Sequence, residues 1–285
     1  QAGVETKRGC LGTCAYCIDP IAKGRTVRGR SPEMIIEECR DLYDQGIDVL
    51  HICDSEFNTD LAHAHRVCDA MIRSGLADAI KWYTYASPNP FNLDLARTMA
   101  LAGCVGINFG VDHGDSFMLA RLGRTFTPND IRYTAQVCRE AGLPFMFDLL
   151  LGSPGETRES IVRTIDLMQE IKPDRVGISC GVRIYPDTPL AEFVERQGPM
   201  AMNPNLYGIV RDNDDFLKPV FYVECCVGEG IHGYVTSLVR DDNRFLHADP
   251  SLVDGNYNYN NNSMLSKAIA GGARGAYWDI LRRMN

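Results

Sequence analysis

Short apolar runs recur along the first two thirds of the chain, and each is followed by a polar loop and a segment of helical periodicity. The runs are almost continuously hydrophobic, which is typical of strands buried on both faces of a parallel sheet. A shorter strand is predicted at residues 4–8, ahead of the others. The five longer runs cover residues 47–53, 80–86, 104–111, 144–151 and 175–182.

The segments between these runs carry helix start and stop signals. Ser31-Pro32 is typical of an N-cap followed by proline at the first helical position. A helix predicted at 93–101 stops before Gly103, and one at 161–171 stops at Lys172-Pro173. Six strand–helix units predict an α/β fold over residues 1–190, a partial (β/α)6 TIM-like barrel. Functional residues of such barrels lie where the strands end, at their carboxyl termini.

The alternation of strand and helix is lost beyond residue 190. Residues 195–220 are rich in loop formers, and residues 254–262 are biased toward asparagine and tyrosine. An amphipathic helix is predicted at the end, from Ala276 to Met284. We therefore expect residues 191–285 to form a small α+β extension packed on the barrel.

Composition and charge narrow the class of protein. The 285 residues are 45% hydrophobic, and 29 basic against 37 acidic residues give a net charge of −8. That balance predicts no general nucleic-acid surface and no anionic-membrane surface. No apolar run is long enough to span a bilayer, and no signal peptide is recognisable, so a cytoplasmic location is expected. The chain begins without Met, and we expect it to be a fragment of a gene that extends upstream.

Eleven cysteines without a signal peptide argue against a secreted disulfide framework. Eight of them lie mostly in apolar segments, where buried packing is the simplest interpretation, and this includes the pair Cys225-Cys226. Cys180 lies at the end of the sixth predicted strand and has no assigned role.

The other three cysteines form the strongest motif in the chain. Cys10, Cys14 and Cys17 follow the first predicted strand, with Gly9 and Gly12 allowing the loop to wrap tightly. A structural zinc ion usually takes four ligands, and no fourth Cys or His lies in the loop. Three thiolates on a 4Fe-4S cluster would leave one iron open for a substrate or cosubstrate. A cluster is the favoured interpretation, and a zinc site remains the alternative.

This spacing, with Tyr16 before the last cysteine, on a six-unit barrel, resembles the radical S-adenosylmethionine (SAM) superfamily over residues 4–190. The resemblance implies that Cys10, Cys14 and Cys17 bind a 4Fe-4S cluster whose open iron chelates SAM. It also implies reductive cleavage of SAM to a 5′-deoxyadenosyl radical that abstracts hydrogen from a substrate. Tyr16 matches the aromatic residue that packs beside the adenine.

The second strand ends in a motif that resembles the family's contact to the SAM amino group. Asp54, Ser55 and Glu56 inherit that role, and carboxylates at a strand end suit an ammonium partner. The alternative is that one of them caps the helix that begins near Asp60.

Later strand ends match further family motifs. After the fourth strand, Asp112 stands where a ribose-contacting Glu is usual, and Arg124 matches the basic residue that pairs with the SAM carboxylate. His113 is equally consistent with a satisfied polar residue and with a catalytic one. After the fifth strand, Gly152 matches the backbone beside adenine, and Glu156-Thr157 begins the next helix.

The sixth strand runs into Arg183-Ile-Tyr-Pro-Asp-Thr-Pro-Leu190, which resembles the branch that often carries an upstream cobalamin-binding domain. This implies a radical SAM enzyme, with cobalamin as a further candidate cofactor and methyl transfer as the leading reaction. Alternatives are a cobalamin-independent rearrangement or methylthiolation, and, in another class, a non-catalytic iron–sulfur or zinc binding module. The expected partners are a small-molecule or peptide substrate and an electron donor such as flavodoxin or ferredoxin.

Overall fold

The structure, a computed structural model, describes residues 2–228, 230–247 and 262–284. The strands in these ranges are, in chain order, β1 Ala2–Val4, β2 Lys7–Arg8, β3 Arg28–Gly29, β4 Val49–Ile52, β5 Lys81–Ala86, β6 Cys104–Asp112, β7 Phe145–Leu151, β8 Arg175–Cys180, β9 Val182–Arg183, β10 Leu206–Gly208, β11 Val220–Tyr222 and β12 Phe245–His247.

Helices follow most of these strands and cover the outside of the sheet. They are α1 Asp19–Ala22, α2 Pro32–Asp44, α3 Leu61–Arg73, α4 Leu76–Ala79, α5 Leu93–Leu101, α6 Ser116–Arg121, α7 Pro128–Ala141, α8 Arg158–Ile171, α9 Pro189–Glu195, α10 Ile231–Val239, α11 Ser263–Ala270 and α12 Tyr277–Met284.

One parallel sheet organises the described part of the chain, in the order β1-β4-β5-β6-β7-β8-β12. Five of its strands, β4 to β8, fall on the five longer predicted runs, and β1 overlaps the predicted first strand at Val4. The sheet confirms the partial barrel. Every strand ends at the same rim of the sheet because all of them run parallel. That rim is therefore the place where the strand-end motifs meet, and we call it the barrel mouth.

The predicted first strand is shorter than expected. β1 ends at Val4, and the next backbone amides do not join the sheet: Thr6 N and Lys7 N donate to Asp54 Oδ1 at 2.7 and 3.2 Å. β2 then pairs with β3 in a separate two-stranded sheet. A buried carboxylate thus takes the hydrogen bonds that a longer strand would have used.

Helix ends follow the local signals in the sequence. Ser31 Oγ accepts from Met34 N at 3.3 Å at the start of α2, as its N-cap position predicts. α8 ends at Lys172, which has a left-handed φ of 55° directly before Pro173. α5 ends at Leu101, as predicted.

The chain after residue 190 contributes to the main sheet as well as to its own small sheet. β12 pairs in parallel with β8 and adds a seventh strand that the sequence did not reveal. β10 and β11 extend β9 into an antiparallel sheet. α12 confirms the predicted terminal helix. The division at residue 190 stays a prediction, and residues 254–261 of the predicted Asn/Tyr loop lie outside the described residues.

α12 closes the end of the barrel opposite the mouth. Trp278 Nε1 donates to Asn108 Oδ1 at 2.6 Å, and the Tyr83 hydroxyl donates to Asp279 Oδ2 at 2.6 Å. Both bonds join α12 to inward-facing side chains of the sheet. The barrel interior is therefore a lumen, with α12 as its floor and the mouth as its opening.

The prediction that eight cysteines are packing residues is correct for four buried cysteines and for Cys180, which packs against the core. Four are buried, namely Cys39, Cys68, Cys104 and Cys138. Cys53 and the pair Cys225-Cys226 are exposed, and Cys180 is partly buried. The pair lies in a surface turn after β11, so the expectation that it packs in the core was wrong.

Among the helices that the structure describes, none combines the length and the apolar character needed to cross a bilayer.

Candidate active site at the barrel mouth

The three motif cysteines border one cavity at the barrel mouth. Residues 9–18, which we call the cysteine loop, connect β2 to α1. Cys10, Cys14 and Cys17 all line a cavity of about 350 Å³. The cavity is also bordered by Glu56 after β4, by Tyr85 of β5, by Gly110 of β6 and by Arg124 after α6. The chain thus brings the cysteines and the predicted SAM contacts to one place.

The cysteine loop is held by backbone contacts to the segment after α6. Ala15 N donates to Leu122 O at 2.9 Å, and Thr13 Oγ1 donates to Gly123 O at 3.0 Å. Gly123 has a φ of +77°, and a Cβ built there would lie 2.2 Å from Thr13 O. Only glycine permits this close approach. The loop's shape therefore depends on a glycine more than one hundred residues away.

The local geometry of the loop suits a 4Fe-4S cluster. Gly12 N donates to Cys10 Sγ at 3.3 Å and Asp19 N to Cys17 Sγ at 3.5 Å, the kind of N–H···S contact that tunes iron–sulfur clusters. A Cβ at Gly12 would lie 3.2 Å from Cys10 Sγ and 3.7 Å from Cys14 Sγ, so the missing side chain leaves room between two sulfurs.

Burial sets the protonation of the free thiols. It raises the pKa of Cys14 to about 12 and also raises the pKa values of Cys10 and Cys17. In the described residues no three Cys, His, Asp or Glu side chains converge on one metal ion. The thiolates of a cubane bind different irons, so they need not converge on a single point.

A charged cluster lies beside the cysteine loop and joins three of the predicted site residues. Arg124 Nε donates to Asp112 Oδ2, and Arg124 Nη2 donates to the Tyr16 hydroxyl at 2.9 Å. Tyr16 in turn donates to Asp112 Oδ2 at 2.7 Å. Burial would lower the pKa of Arg124, but Asp112 raises it well above its usual value. The guanidinium is therefore a permanent cation at the mouth.

Glu56 is the fourth member of this cluster. Its Oε1 accepts from Arg124 Nη1 at 3.3 Å, and its side chain is 27% exposed toward the cavity. Burial raises the pKa of Glu56 despite the nearby cation. Gly110 allows the contact, because a Cβ there would lie 3.1 Å from Arg124 Nη2. We call Tyr16, Glu56, Asp112 and Arg124 the mouth cluster.

Ser55 also lies at the cavity, with two partners that sequence reasoning missed. Ser55 Oγ donates to Asp19 Oδ2 at 2.6 Å, and Lys23 Nζ contacts both Asp19 Oδ2 and Ser55 Oγ, at 3.1 and 3.2 Å. The only signal for Asp19 was its place directly after the cysteine motif. Ser55 is thus tied to α1, which follows the cysteine loop directly, and does not cap a helix.

Three predicted site residues, Asp54, Asp112 and Gly152, do not line this cavity, and Asp112 is joined to it through Tyr16 and Arg124. Asp54 is buried and accepts from Thr6 Oγ1 at 2.6 Å and from Lys7 Nζ at 2.7 Å. It fastens the chain between β1 and β2 and does not line the cavity. Asp60, by contrast, caps α3 itself, so Asp54, Ser55 and Glu56 are not its caps.

Gly152 also lies off the mouth cavity. Its amide donates to Glu156 Oε2 at 3.1 Å, and a Cβ there would meet Ile231 and Val223 at 3.3 Å. Its predicted place beside adenine stays a prediction.

His113 belongs to a buried network and not to the cavity. Its Nε2 lies 3.2 Å from Glu156 Oε2, and its Nδ1 lies 2.9 Å from Thr164 Oγ1. Burial would raise the pKa of Glu156, but the contact with His113 lowers it. The network joins the end of β6 to the start of α8, so His113 is a satisfied structural residue.

The fold and the cysteine loop together define a class of α/β-barrel enzymes with a cysteine-bound cofactor. The sequence matches the family profile of the Radical SAM superfamily over residues 4–168, and the chain belongs to that superfamily. This confirms the predicted family and, with it, a 4Fe-4S cluster and SAM as the cofactors its members use.

Individual relatives show how far the similarity extends. The tryptophan 2-C-methyltransferase of Streptomyces laurentii is 34% identical over 206 residues, which are 68% of this chain and 34% of that protein. The ribosomal protein uS12 methylthiotransferase RimO of Heliobacterium modesticaldum is 32% identical over 186 residues, 62% of this chain and 40% of that protein. The chain spans less than half the length of these curated relatives.

A solved structure matches nearly the whole chain. The radical SAM methyltransferase TsrM from Kitasatospora setae, with tryptophan and a SAM analogue bound, superposes with a TM-score of 0.88 at 26% identity. The match covers 99% of this chain and 60% of TsrM. The described fold beyond residue 190, including β12 and α12, therefore has a counterpart in a known methyltransferase.

Proposed function

We propose that this chain is the catalytic core of a cobalamin-dependent radical SAM methyltransferase that acts on a small molecule. The observation that carries the proposal is the single cavity in which the cysteine loop meets the mouth cluster. The similarity to a tryptophan 2-C-methyltransferase and to TsrM with tryptophan bound supports methyl transfer to a small aromatic substrate.

Cys10, Cys14 and Cys17 would hold the cluster, and the mouth cluster would hold SAM. Arg124 offers a permanent cation to the SAM carboxylate, and Glu56 offers an anion to its ammonium group. Tyr16 would pack beside the adenine, and its bonds to Asp112 and Arg124 fix its position. Asp112, with its side chain 7% exposed, acts by holding Arg124 and Tyr16 in place.

When bound, the reduced cluster supplies the electron that cleaves SAM, and cobalamin supplies a carrier for the methyl group. An external electron donor such as flavodoxin or ferredoxin would reduce the protein. The chain's own part is to bind both ends of SAM against the cysteine loop.

Methylthiolation is the second candidate, because the RimO relative is 32% identical over a similar span. The two reactions leave different products. A methyltransferase adds only a methyl group to its substrate, whereas a methylthiotransferase also adds a sulfur atom.

The test begins with anaerobic reconstitution and analysis of iron and acid-labile sulfide. We expect about four irons per chain in a cluster on three thiolates. The reconstituted protein is then incubated with cobalamin, a reductant, tryptophan and SAM carrying a deuterated methyl group. Transfer of the labelled methyl group, detected by mass spectrometry, supports the proposal.

Three results would contradict the proposal or part of it. Stoichiometric zinc without acid-labile sulfide would reject the cluster. A product that contains sulfur would favour methylthiolation. Cleavage of SAM to 5′-deoxyadenosine with no methyl transfer to any substrate would favour a cobalamin-independent reaction.

A further inference from the structure

The lumen below the mouth cavity is lined by polar side chains that the proposed function does not use. Strands alternate between the two faces of the sheet. Residues on either side of His51, Tyr85, Asn108 and Asp148 pack into the core under the outer helices, among them Leu50, Ile52, Ala86, Ile107, Phe109, Phe147 and Leu149. The four polar residues therefore face the lumen.

A ring contact, strand pairing and a hydrogen bond place these four residues in one patch, which we call the lumen patch. The rings of His51 and Tyr85 meet edge to face with centroids 5.0 Å apart. Tyr85 and Asn108 are register partners on neighbouring strands, and Asn108 Nδ2 donates to Asp148 Oδ2 at 3.1 Å. Asn108 also receives the bond from Trp278 in the floor. The patch is thus positioned from both the wall and the floor.

Asp148 carries a negative charge that no cation of the described residues pairs with. Asn108 is its hydrogen-bond donor, and its register partner on β6 is Gly110, which places no side chain beside the carboxylate. Burial raises the pKa of Asp148 to about 6, and Asp112 adds to the shift. At neutral pH the lumen therefore contains a carboxylate in an unfavourable environment, which a bound cation would relieve.

His51 adds a second polar group that the described residues do not satisfy, and Tyr85 adds an aromatic face. His51 Nε2 is buried and has no hydrogen-bond partner among the described residues. Burial lowers the pKa of His51, so the ring is neutral and does not compensate the charge of Asp148. Tyr85 is 47% exposed although it lies inside the barrel, so its ring faces open space.

The lumen patch lies next to the mouth cavity. Tyr85 and Gly110 both border that cavity, and Gly110 is the register partner of Asp148. A ligand on the carboxylate would therefore reach toward the place where SAM is proposed to bind.

We propose that the lumen patch is the substrate site and that it recognises a small molecule that carries both an aromatic ring and an aliphatic amine. Asp148 accepts a hydrogen bond from the protonated amine, and the ring of Tyr85 packs against the aromatic body. This inference rests on the proposed function, because it places the substrate beside SAM.

The test compares two ligands that differ only in the group that meets Asp148. Tryptamine carries an ammonium group, and tryptophol carries a hydroxyl group at the same position. Affinities are measured by calorimetry on the reconstituted protein, with and without SAM. The Asp148→Asn variant keeps the size of the side chain and removes its charge. Asp94→Asn is the matched control, since the Asp94 side chain is 88% exposed on the outer surface.

A charge-assisted hydrogen bond implies that the wild type prefers tryptamine by about 10- to 100-fold. Asp148→Asn should abolish that preference by lowering the affinity for tryptamine alone. Asp94→Asn should behave as the wild type. Equal affinities of the wild type for the two ligands, or no binding of either, would reject the inference. An equal loss of affinity for both ligands in Asp148→Asn would also reject the inference.

SAM binding, followed in the same samples, separates this inference from the proposed function. If the wild type does not bind SAM, the proposed function fails, while the tryptamine preference measured without SAM still tests Asp148. If Asp148→Asn lowers the affinity for SAM and leaves the affinity for tryptamine unchanged, the carboxylate belongs to the SAM site and the inference is wrong.

Discussion

Arg124 Nη1 lies 3.3 Å from Glu56 Oε1 at the barrel mouth. These two residues were predicted to hold opposite ends of SAM, the carboxylate and the ammonium group. In the structure each is the partner of the other. Binding of SAM would replace one ion pair with two, so little charge is left unpaired in either state. Such an exchange keeps the binding cost low, because a buried charge without a partner is unfavourable.

Removing either charge should weaken the binding of SAM without affecting the iron–sulfur cluster. Glu56→Gln and Arg124→Met leave all three sulfurs in place and should retain wild-type iron content. Each loses a charge-assisted hydrogen bond, so SAM affinity should fall by about 10- to 100-fold. The measurement is the change in the electron paramagnetic resonance spectrum of the reduced cluster as SAM is added. Wild-type affinity in both variants would mean that the pair only stabilises the fold.

Substitution of a motif cysteine should remove the cluster itself. Cys14→Ala deletes one of three thiolate ligands, so iron, sulfide and SAM cleavage should all be lost. The control is Cys53→Ala, because Cys53 is also near the end of a strand but is exposed. Cys53→Ala should keep about four irons. Equal iron content in the two variants would show that the cysteine loop is not the cluster site.

Gly123, although remote in sequence, should be as necessary for cluster assembly as one of the cysteine ligands. Gly123→Ala places a Cβ 2.2 Å from Thr13 O, so the cysteine loop must move. Gly142 has a similar φ of +69° with no atom within 4 Å of its Cβ position. Gly142→Ala should cost only the backbone strain of about 1–2 kcal/mol. We expect Gly123→Ala to lose iron on reconstitution and Gly142→Ala to retain it. Full iron content in Gly123→Ala would contradict the role given to the contact.

Asp54 should affect folding and not cofactor binding, although it is only two residues from Glu56. Its pair with Lys7 is buried, with side-chain exposures of 3% for Lys7 and 0% for Asp54. Asp54→Asn leaves the lysine uncompensated, which typically costs about 3–5 kcal/mol. Urea unfolding should report this loss, whereas Glu170→Gln in the exposed pair with Arg132 should change stability little. Unchanged stability of Asp54→Asn together with reduced SAM affinity would support the original prediction that Asp54 contacts the SAM amino group.

Stability should depend on pH in the direction that Asp148 dictates. Its folded pKa of about 6 is above the ordinary value of 3.8, so the folded state binds the proton more tightly. The Asp148 carboxyl therefore contributes to folding stability below about pH 4, and this contribution is lost as the pH rises to about 6. A shift of about two units corresponds to about 3 kcal/mol.

Asp148→Asn removes this cost. The variant should be more stable than the wild type at pH 7.5, by up to about 3 kcal/mol, and similar to it at pH 4. Urea unfolding at the two pH values measures the difference. A variant that is destabilised at pH 7.5 would show that the carboxylate is already satisfied in the lumen.

Much of the fold could be predicted because its signals are local. The long strands are continuous apolar runs, and helix ends such as Ser31-Pro32 and Lys172-Pro173 impose their own backbone geometry. The three cysteines lie within eight residues of one another, so any fold that kept the loop would bring them together. β12 gave no such signal, because three residues that pair with β8 are indistinguishable from a loop in the sequence.

The sequence by itself determined that this chain is a partial α/β barrel with a loop of three closely spaced cysteines, and it predicted SAM contacts at the strand ends. Only the tertiary structure decided which of the neighbouring carboxylates faces the cavity. Glu56 reaches Arg124, whereas Asp54 turns inward to Lys7. It also decided that Asp148, one polar residue in an apolar strand, is an unpaired charge in the lumen. The physical reason is that local patterns set backbone conformation, while the partner of a charged side chain depends on groups brought close by folding.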